Sequence, residues 1–358
     1  MYQLDIQKQT INIEGEKYFP YDFEEKGTPA FASQSDHHYE LFLFLKDWFS
    51  PSPYLIVQTS GSTGQPKDIQ VEKSRMMERA QLTCSFLGLK DGDSALLCMS
   101  LKYIAGKMMV VRALVAGLDL YLTEPSGNPL RNIEKPFDFA AMIPMQVYNS
   151  LTWAEEMKRI KAVKNLIIGG GAIDRELKDK LKSFPNNVYS TYGMTETLSH
   201  IALQKLSGEN ASDSYTPFES VSLSLSEDSA LIIDAPLVAT ERLYTNDIAE
   251  IHADGSFNII GRRDNIINSG GIKIQIEEVE RQLQSYTDKP FAITSLPDPK
   301  FGEIVVLVTE GGIDEQAFAV LPEYHRPKKV IQINAIPLTE TGKISRVELK
   351  KWTRSKYS

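Results

Sequence analysis

Nine residues that leave a short apolar run carry the clearest chemistry in the chain: Thr59-Ser60-Gly61-Ser62-Thr63-Gly64-Gln65-Pro66-Lys67, directly after Leu55–Gln58. Gly61 and Gly64 let the backbone turn tightly and aim its N–H groups at one point. Hydroxyls on Thr59, Ser60, Ser62 and Thr63 add donors, and Lys67 closes the run with a cation. Residues of these types in this order make a cradle for phosphate. The run is not the loop of P-loop NTPases, because Pro66 stands where that loop has a glycine before its lysine. The plain alternative is a Ser/Gly-rich surface turn, and the terminal Pro-Lys argues against it.

A cradle of this kind needs rigid elements at its ends. From Tyr54 to Tyr192 strand-like and helix-like stretches alternate: strands at 55–58, 95–99, 118–123, 137–143, 165–168 and 188–191, helices at 73–88, 104–116 and 173–184. Alternation of this sort predicts right-handed crossovers and a largely parallel sheet covered by helices. After His200 polar and apolar residues alternate over 220–233 and 241–260, with a hairpin signal at Asp254-Gly255, which predicts a small antiparallel unit. Beyond Arg263 the pattern is helix, strand, strand, helix, strand, helix. The expected fold class is α/β: a large domain over 1–263 with a mostly parallel sheet plus a small antiparallel β unit, then a small mobile α+β lid over 264–358.

Composition narrows the partners. A formal net charge of −8 argues against a broad nucleic-acid surface. The longest apolar stretch, Met108–Leu122, is interrupted by Arg112 and Asp119, so no membrane span is expected. Met1-Tyr2-Gln3-Leu4-Asp5 lacks the start of a signal peptide. Cys84 and Cys98 allow no disulfide framework and are expected to be buried, which suits a cytoplasmic protein.

The nine-residue run resembles the signature of the acyl- and aryl-CoA synthetase, adenylation-domain and luciferase superfamily, and further motifs of that family stand in the same order along the chain. The resemblance implies ATP, Mg²⁺ and coenzyme A as co-substrates and metal, and formation of an acyl-adenylate. It implies that Gly170, Gly171 and Ala172 lie against adenine, that Tyr192 stacks on it with Gly193 beside it, that Thr195 touches the α-phosphate and that Glu196 helps hold Mg²⁺. Asp247 would accept from ribose hydroxyls, with Asn246 where relatives usually have glycine. Arg262 would face the nucleotide, Asp264 would be the hinge, Gly270 and Gly271 would line the pantetheine tunnel, and Lys343 would be the catalytic lysine. Physical sense supports the last assignment: carboxylate attack on the α-phosphorus brings two anions together, so a mobile cation lowers the barrier. Read alone, Lys343 is a solvated surface lysine and Asp264 a turn aspartate.

Within the superfamily the chain resembles the ligases that activate o-succinylbenzoate in menaquinone synthesis, on the strength of 101–109 and 191–200. Lys102-Tyr103 replaces an aromatic-histidine pair common elsewhere, which implies a cation near the acid pocket and a substrate with a second carboxylate. Ser199 and His200 would line the same pocket. Equally, Lys102 faces water and His200 is a packed neutral histidine. The short segment before Thr59 suggests a homodimer whose partner completes the site walls. Two alternatives stay open: a ligase for another acid or a carrier-protein thiol, and a nucleotide-binding regulatory protein without catalysis.

Overall fold

The computed structural model describes residues 2–24, 27–58, 68–237, 241–339 and 343–357. These form two compact units, one of 1–222 with 234–241 and one of 223–233 with 242–358. The small antiparallel sheet is thus grouped with the C-terminal part, whereas the sequence boundary was drawn at 263/264. Side-chain bonds explain the grouping, since Gln275 Nε2 donates to Arg262 O at 2.9 Å across that boundary.

The first unit begins with β1 (Ile11–Ile13), β2 (Glu16–Tyr18), helix α1 (Asp36–Phe49), and the antiparallel ribbon of β3 (Tyr54–Gln58) and β4 (Asp68–Glu72). It continues through α2 (Lys73–Leu87), β5 (Ser94–Leu97), α3 (Ile104–Ala116), β6 (Asp119–Leu122), β7 (Phe139–Met142), α4 (Pro144–Thr152), α5 (Ala154–Ala162) and β8 (Asn165–Ile168). Helix α6 (Arg175–Lys182), β9 (Asn187–Gly193), β10 (His200–Lys205) and β11 (Thr216–Pro217) complete it. A nine-stranded sheet runs β11-β10-β9-β8-β7-β5-β6-β1-β2. Its six central strands, β9 to β1 in that order, are parallel, and the edges at both ends are antiparallel.

The pleat sorts the core into two halves. Ala95, Leu97, Phe139, Ala141 and Ile167 pack with Leu41, Trp48, Met76, Ala80 and Met108 of α1, α2 and α3. Their immediate neighbours Leu96, Cys98, Ala140, Met142, Leu166 and Ile168 pack with Val147, Ile160, Leu177 and Leu181 of α4, α5 and α6. Strand side chains alternate between faces, so a sheet buried on both sides must read as continuously apolar. Cys84 and Cys98 are buried, and burial pushes both thiols up to about 12.

In the second unit β12 (Ser222–Leu225), β13 (Ala230–Asp234), β14 (Leu243–Ile251) and β15 (Phe257–Arg262) form the antiparallel sheet. Next come β16 (Ile266–Ser269), β17 (Ile272–Gln275), α7 (Ile276–Leu283), β18 (Phe291–Asp298), β19 (Gly302–Thr309), β20 (Lys329–Gln332) and α8 (Arg346–Tyr357). The same alternation recurs: Ile293 and Leu307 pack on Val279 and Leu283 of α7, while Ala292 and Val306 pack with Leu349 of α8. The second of the three helices read beyond Arg263 is a 3₁₀ helix, Glu315–Val320. No helix among the described residues is long and apolar enough to cross a membrane.

Candidate active site

In the first unit the predicted residues gather where β9 ends. The half-buried Tyr192 ring lies 5.9 Å from that of Tyr215. After Gly193 the chain makes a single 3₁₀ turn, Thr195–Thr197, and reverses at Leu198, which has φ 60° and ψ −33°. Ser199 N donates to Thr197 O at 2.6 Å and closes a γ-turn, a strained conformation for leucine. Thr197 braces the reversal from inside, its hydroxyl 2.9 Å from Met194 N and 2.7 Å from Ser199 O. The turn leaves Glu196 exposed and Thr195 half-buried, and returns Ser199 and His200 across Gly193. A Cβ at 193 would stand 2.6 Å from Ser199 O and 2.7 Å from His200 Cα, so only glycine fits the crossing. Gly170, Gly171 and Ala172 lie in the loop between β8 and α6.

Ser199 and His200 are gripped by two arginines that the sequence reading did not assign to the site. Arg79 on α2 and Arg112 on α3 are 1% and 3% exposed. Arg112 Nη2 donates to Ser199 Oγ at 2.8 Å, and Arg79 Nη2 donates to His200 O at 2.8 Å. Thr83 Oγ1 donates to Arg79 O at 3.2 Å, so the contact of 3.2 Å from His200 Nε2 to Thr83 puts the imidazole proton on Nε2. Nδ1 is then free to accept from Ser199 Oγ at 3.4 Å. Burial, then Arg112 and Arg79, hold the His200 pKa well below its ordinary value. His200 is therefore a packed neutral histidine. Burial, and for Arg79 the adjacent Arg112, bring both guanidiniums down to about 10, so both stay charged at neutral pH. The one available signal was Arg112 inside the otherwise apolar run Met108–Ala116.

Lys102 is exposed, its Nζ 5.6 Å from the Tyr103 ring, and Tyr103 is the residue that starts α3. Tyr103 also bridges to Gln58 at the end of β3. The cradle itself, Thr59, Ser60, Gly61, Ser62, Thr63, Gly64 and Lys67, lies outside the described residues. Its flanks Gln58 and Asp68 are paired, and β4 is a strand that the sequence reading missed.

In the second unit Asp247 on β14 and Arg262 on β15 are cross-strand partners, with Arg262 Nη1 to Asp247 Oδ1 at 2.9 Å. Arg262 Nη2 reaches Asp264 Oδ2 at 3.1 Å, and Asn246 Nδ2 donates to that same oxygen at 3.2 Å. Asn246 thus makes a bond that a glycine there could not. Lys343 feels this cluster: burial and Arg262 lower its pKa, against the pull of Asp247. Its backbone is fixed by Thr339, which donates N–H to Lys343 O at 2.7 Å and accepts from Lys343 N at 3.1 Å. Gly270 and Gly271, at φ 60° and 82°, form the two-residue turn joining β16 to β17, the geometry of a type I′ hairpin. An open cavity of about 570 Å³ on the small sheet touches Asn246, Tyr244, Asp228 and Arg263, and none of the predicted site residues lines it. Among the described residues no cluster of three or more His, Cys, Asp or Glu is arranged for a metal. The exposed carboxylate of Glu196 fits Mg²⁺, which is commonly bound by one or two carboxylates together with substrate phosphates.

Residues 18–243 match the AMP-binding enzyme family. The 2-succinylbenzoate–CoA ligase of Listeria monocytogenes is 26% identical over 97% of this chain and 80% of its own length. A solved structure described as an acyl-CoA synthetase (AMP-forming)/AMP-acid ligase II-like protein from Dyadobacter fermentans is 31% identical, with TM-score 0.62, over 91% of this chain and 96% of that one. A variant of E. coli MenE with OSB-AMS bound shares the fold at TM-score 0.70 and 24% identity, over 86% of this chain and 70% of that one. With the nucleotide motifs in order and most of the chain matched, the protein belongs to the AMP-binding enzyme family, whose members are AMP-forming, adenylate-forming ligases.

Proposed function

We propose that the chain is an acid–thiol ligase that adenylates o-succinylbenzoate and transfers the acyl group to coenzyme A. A carboxylate oxygen attacks the α-phosphorus of ATP, and the bond to the bridging oxygen of pyrophosphate breaks. The CoA sulfur then attacks the acyl carbon, its proton is lost, and AMP leaves. The observation that carries this reading is the convergence of Asp247, Arg262 and a desolvated Lys343. An ammonium held partly out of water is favoured by a new anionic partner, and the adenylation transition state supplies one. Asp247 would hold ribose hydroxyls, Tyr192 the adenine and Thr195 the α-phosphate. Glu196 would hold Mg²⁺, which when bound neutralises phosphate charge. Gly270 and Gly271 would serve the thiol step, with Asp264 as the pivot between the two half-reactions.

The choice of acid draws on the names of the relatives and on Arg112, a buried cation that donates to Ser199 beside the adenylate motif and suits a second carboxylate. A panel of mono- and dicarboxylic acids tested for ATP-dependent pyrophosphate release, with and without CoA, decides. Release with o-succinylbenzoate, and thioester only when CoA is added, is expected. Preference for a monocarboxylic acid, or release that CoA leaves unchanged with no thioester formed, would overturn the reading in favour of another acid or a carrier-protein thiol.

A further inference from the structure

Arg79 lies one helical turn before Thr83 on α2, fully buried, and spends only part of its hydrogen-bonding capacity. Nη2 donates to His200 O, while Nε and Nη1 have no acceptor. The neighbouring guanidinium of Arg112 donates from Nη2 to Ser199 and has no acceptor for Nε. Glu78, next in the chain, is exposed and acts on Arg79 only through its field. Among the described residues no carboxylate forms an ion pair with either arginine, and the imidazole between them is neutral. A core that holds two cations close together, with three N–H nitrogens unused, is short of one anion.

We infer that Arg79 is a specificity-determining residue: it forms with Arg112 a two-guanidinium seat for the non-reacting carboxylate of the acid substrate. This rests on the reading of the chain as a ligase for a dicarboxylic acid. Position argues for substrate rather than a stray inorganic ion. The residues that the arginines grip, Ser199 and His200, are the ones that cross Gly193, in the same motif that carries Thr195 and Glu196. Chemistry argues for a carboxylate, whose two oxygens offer enough lone pairs to accept from both guanidiniums at once. The competing reading is structural: Arg79 merely ties down His200 O and packs its guanidinium 5.8 Å from the Phe218 ring.

The two readings separate by experiment on the full chain. Variants Arg79→Met, Arg79→Gln and Arg79→Lys are assayed for kcat/KM with o-succinylbenzoate and with its two monocarboxylic analogues, each lacking one carboxylate. In the wild type the dicarboxylic acid should be preferred. Arg79→Met should lower kcat/KM for it roughly 10- to 100-fold, mostly through KM, the scale of one lost charged hydrogen bond. The analogue that the wild type accepts should change less than about threefold, and Arg79→Lys should recover part of the loss. Equal losses on both acids would leave Arg79 a structural residue and overturn the inference. Should Arg79→Met not fold, the same comparison is read from Arg79→Gln and Arg79→Lys. If the wild type prefers the dicarboxylic acid and Arg112→Met abolishes that preference while every Arg79 variant keeps it, only the role of Arg79 fails. If the wild type shows no preference at all, the choice of acid fails and the seat falls with it.

Discussion

Arg262 and Arg112 are both held by regular elements, one on a strand and one on a helix, and they meet opposite electrostatic fates. The Arg262 side chain is 38% exposed and is satisfied within its own unit by Asp247 and Asp264. Arg112 is buried, touches only a hydroxyl and a thioether, and has no carboxylate partner among the described residues. In water an ion pair costs little to make and gives little stability, so the Arg262 cluster is best understood as fixing where Asp247, Asp264 and the nearby Lys343 stand. In a core an unbalanced cation is destabilising. Its presence therefore signals a role other than stability. Charge that the chain balances itself sets geometry; on the reading proposed above, charge that it leaves unbalanced is set aside for a ligand.

Lys343 offers the strongest test of the first half of this contrast. Lys343→Ala should slow acyl-adenylate formation roughly 10²–10³-fold, the effect of removing one electrostatic stabiliser, while ATP binding stays near wild type. Single-turnover adenylate formation at the wild-type rate would remove the lysine from the chemistry. The second half is sharpened by Arg112→Met. A buried charge without a counter-ion is destabilising, so replacing it by an apolar side chain of similar size should leave urea unfolding at equal or greater stability although the preferred acid is no longer turned over. A clear loss of stability would mean that Arg112 is balanced after all.

His200 gives a pH test of the same cluster. Its pKa is depressed in the folded chain, so the unfolded chain takes up a proton first as pH falls. Stability is therefore complete above the ordinary histidine value of about 6.5 and declines below it, by up to about 1.4 kcal/mol per pH unit. His200→Gln should flatten the fall in melting temperature between pH 7 and pH 5, and an unchanged slope would assign the titration to another group. The smallest effect is expected at Arg263, which pairs in solvent with Asp228 at 2.9 Å. Arg263→Ala should leave the unfolding midpoint unmoved, and a measurable shift would show that this exposed pair is more than a surface contact.

The sequence made the architecture readable where burial follows a simple period. Helix α3 was read at its observed limits, and β8 likewise, because apolar runs and punctuating residues coincide there. The β16–β17 hairpin was missed since its residues were read only as a loop motif, and the two glycines that make the turn were assigned to function alone. Ribbon strand β4, Asp68-Ile69-Gln70-Val71-Glu72, does alternate polar and apolar residues, but over only five residues between the phosphate run and α2, too short a window for the period to stand out. Arg79 and Arg112 were missed for a different reason. Arg79 is one of several charged residues of α2, and Arg112 visibly interrupts an apolar run, but whether either charge escapes to solvent depends on what packs around its helix. Helix α3 is buried from Met108 to Ala116 and leaves Arg112 no way out.

The backbone crossing at Gly193 has a consequence for how the chain can diversify. Any side chain there would displace Ser199 and His200 and disturb the nucleotide motif in the same stroke, so mutation at 193 is closed as a route to a new substrate. Arg79 and Arg112 approach the same pair from α2 and α3, whose other residues take no part in nucleotide motifs. On the arginine seat proposed above, evolution or a protein engineer can rewrite the acid preference from the helices while the apparatus for activating it is inherited intact.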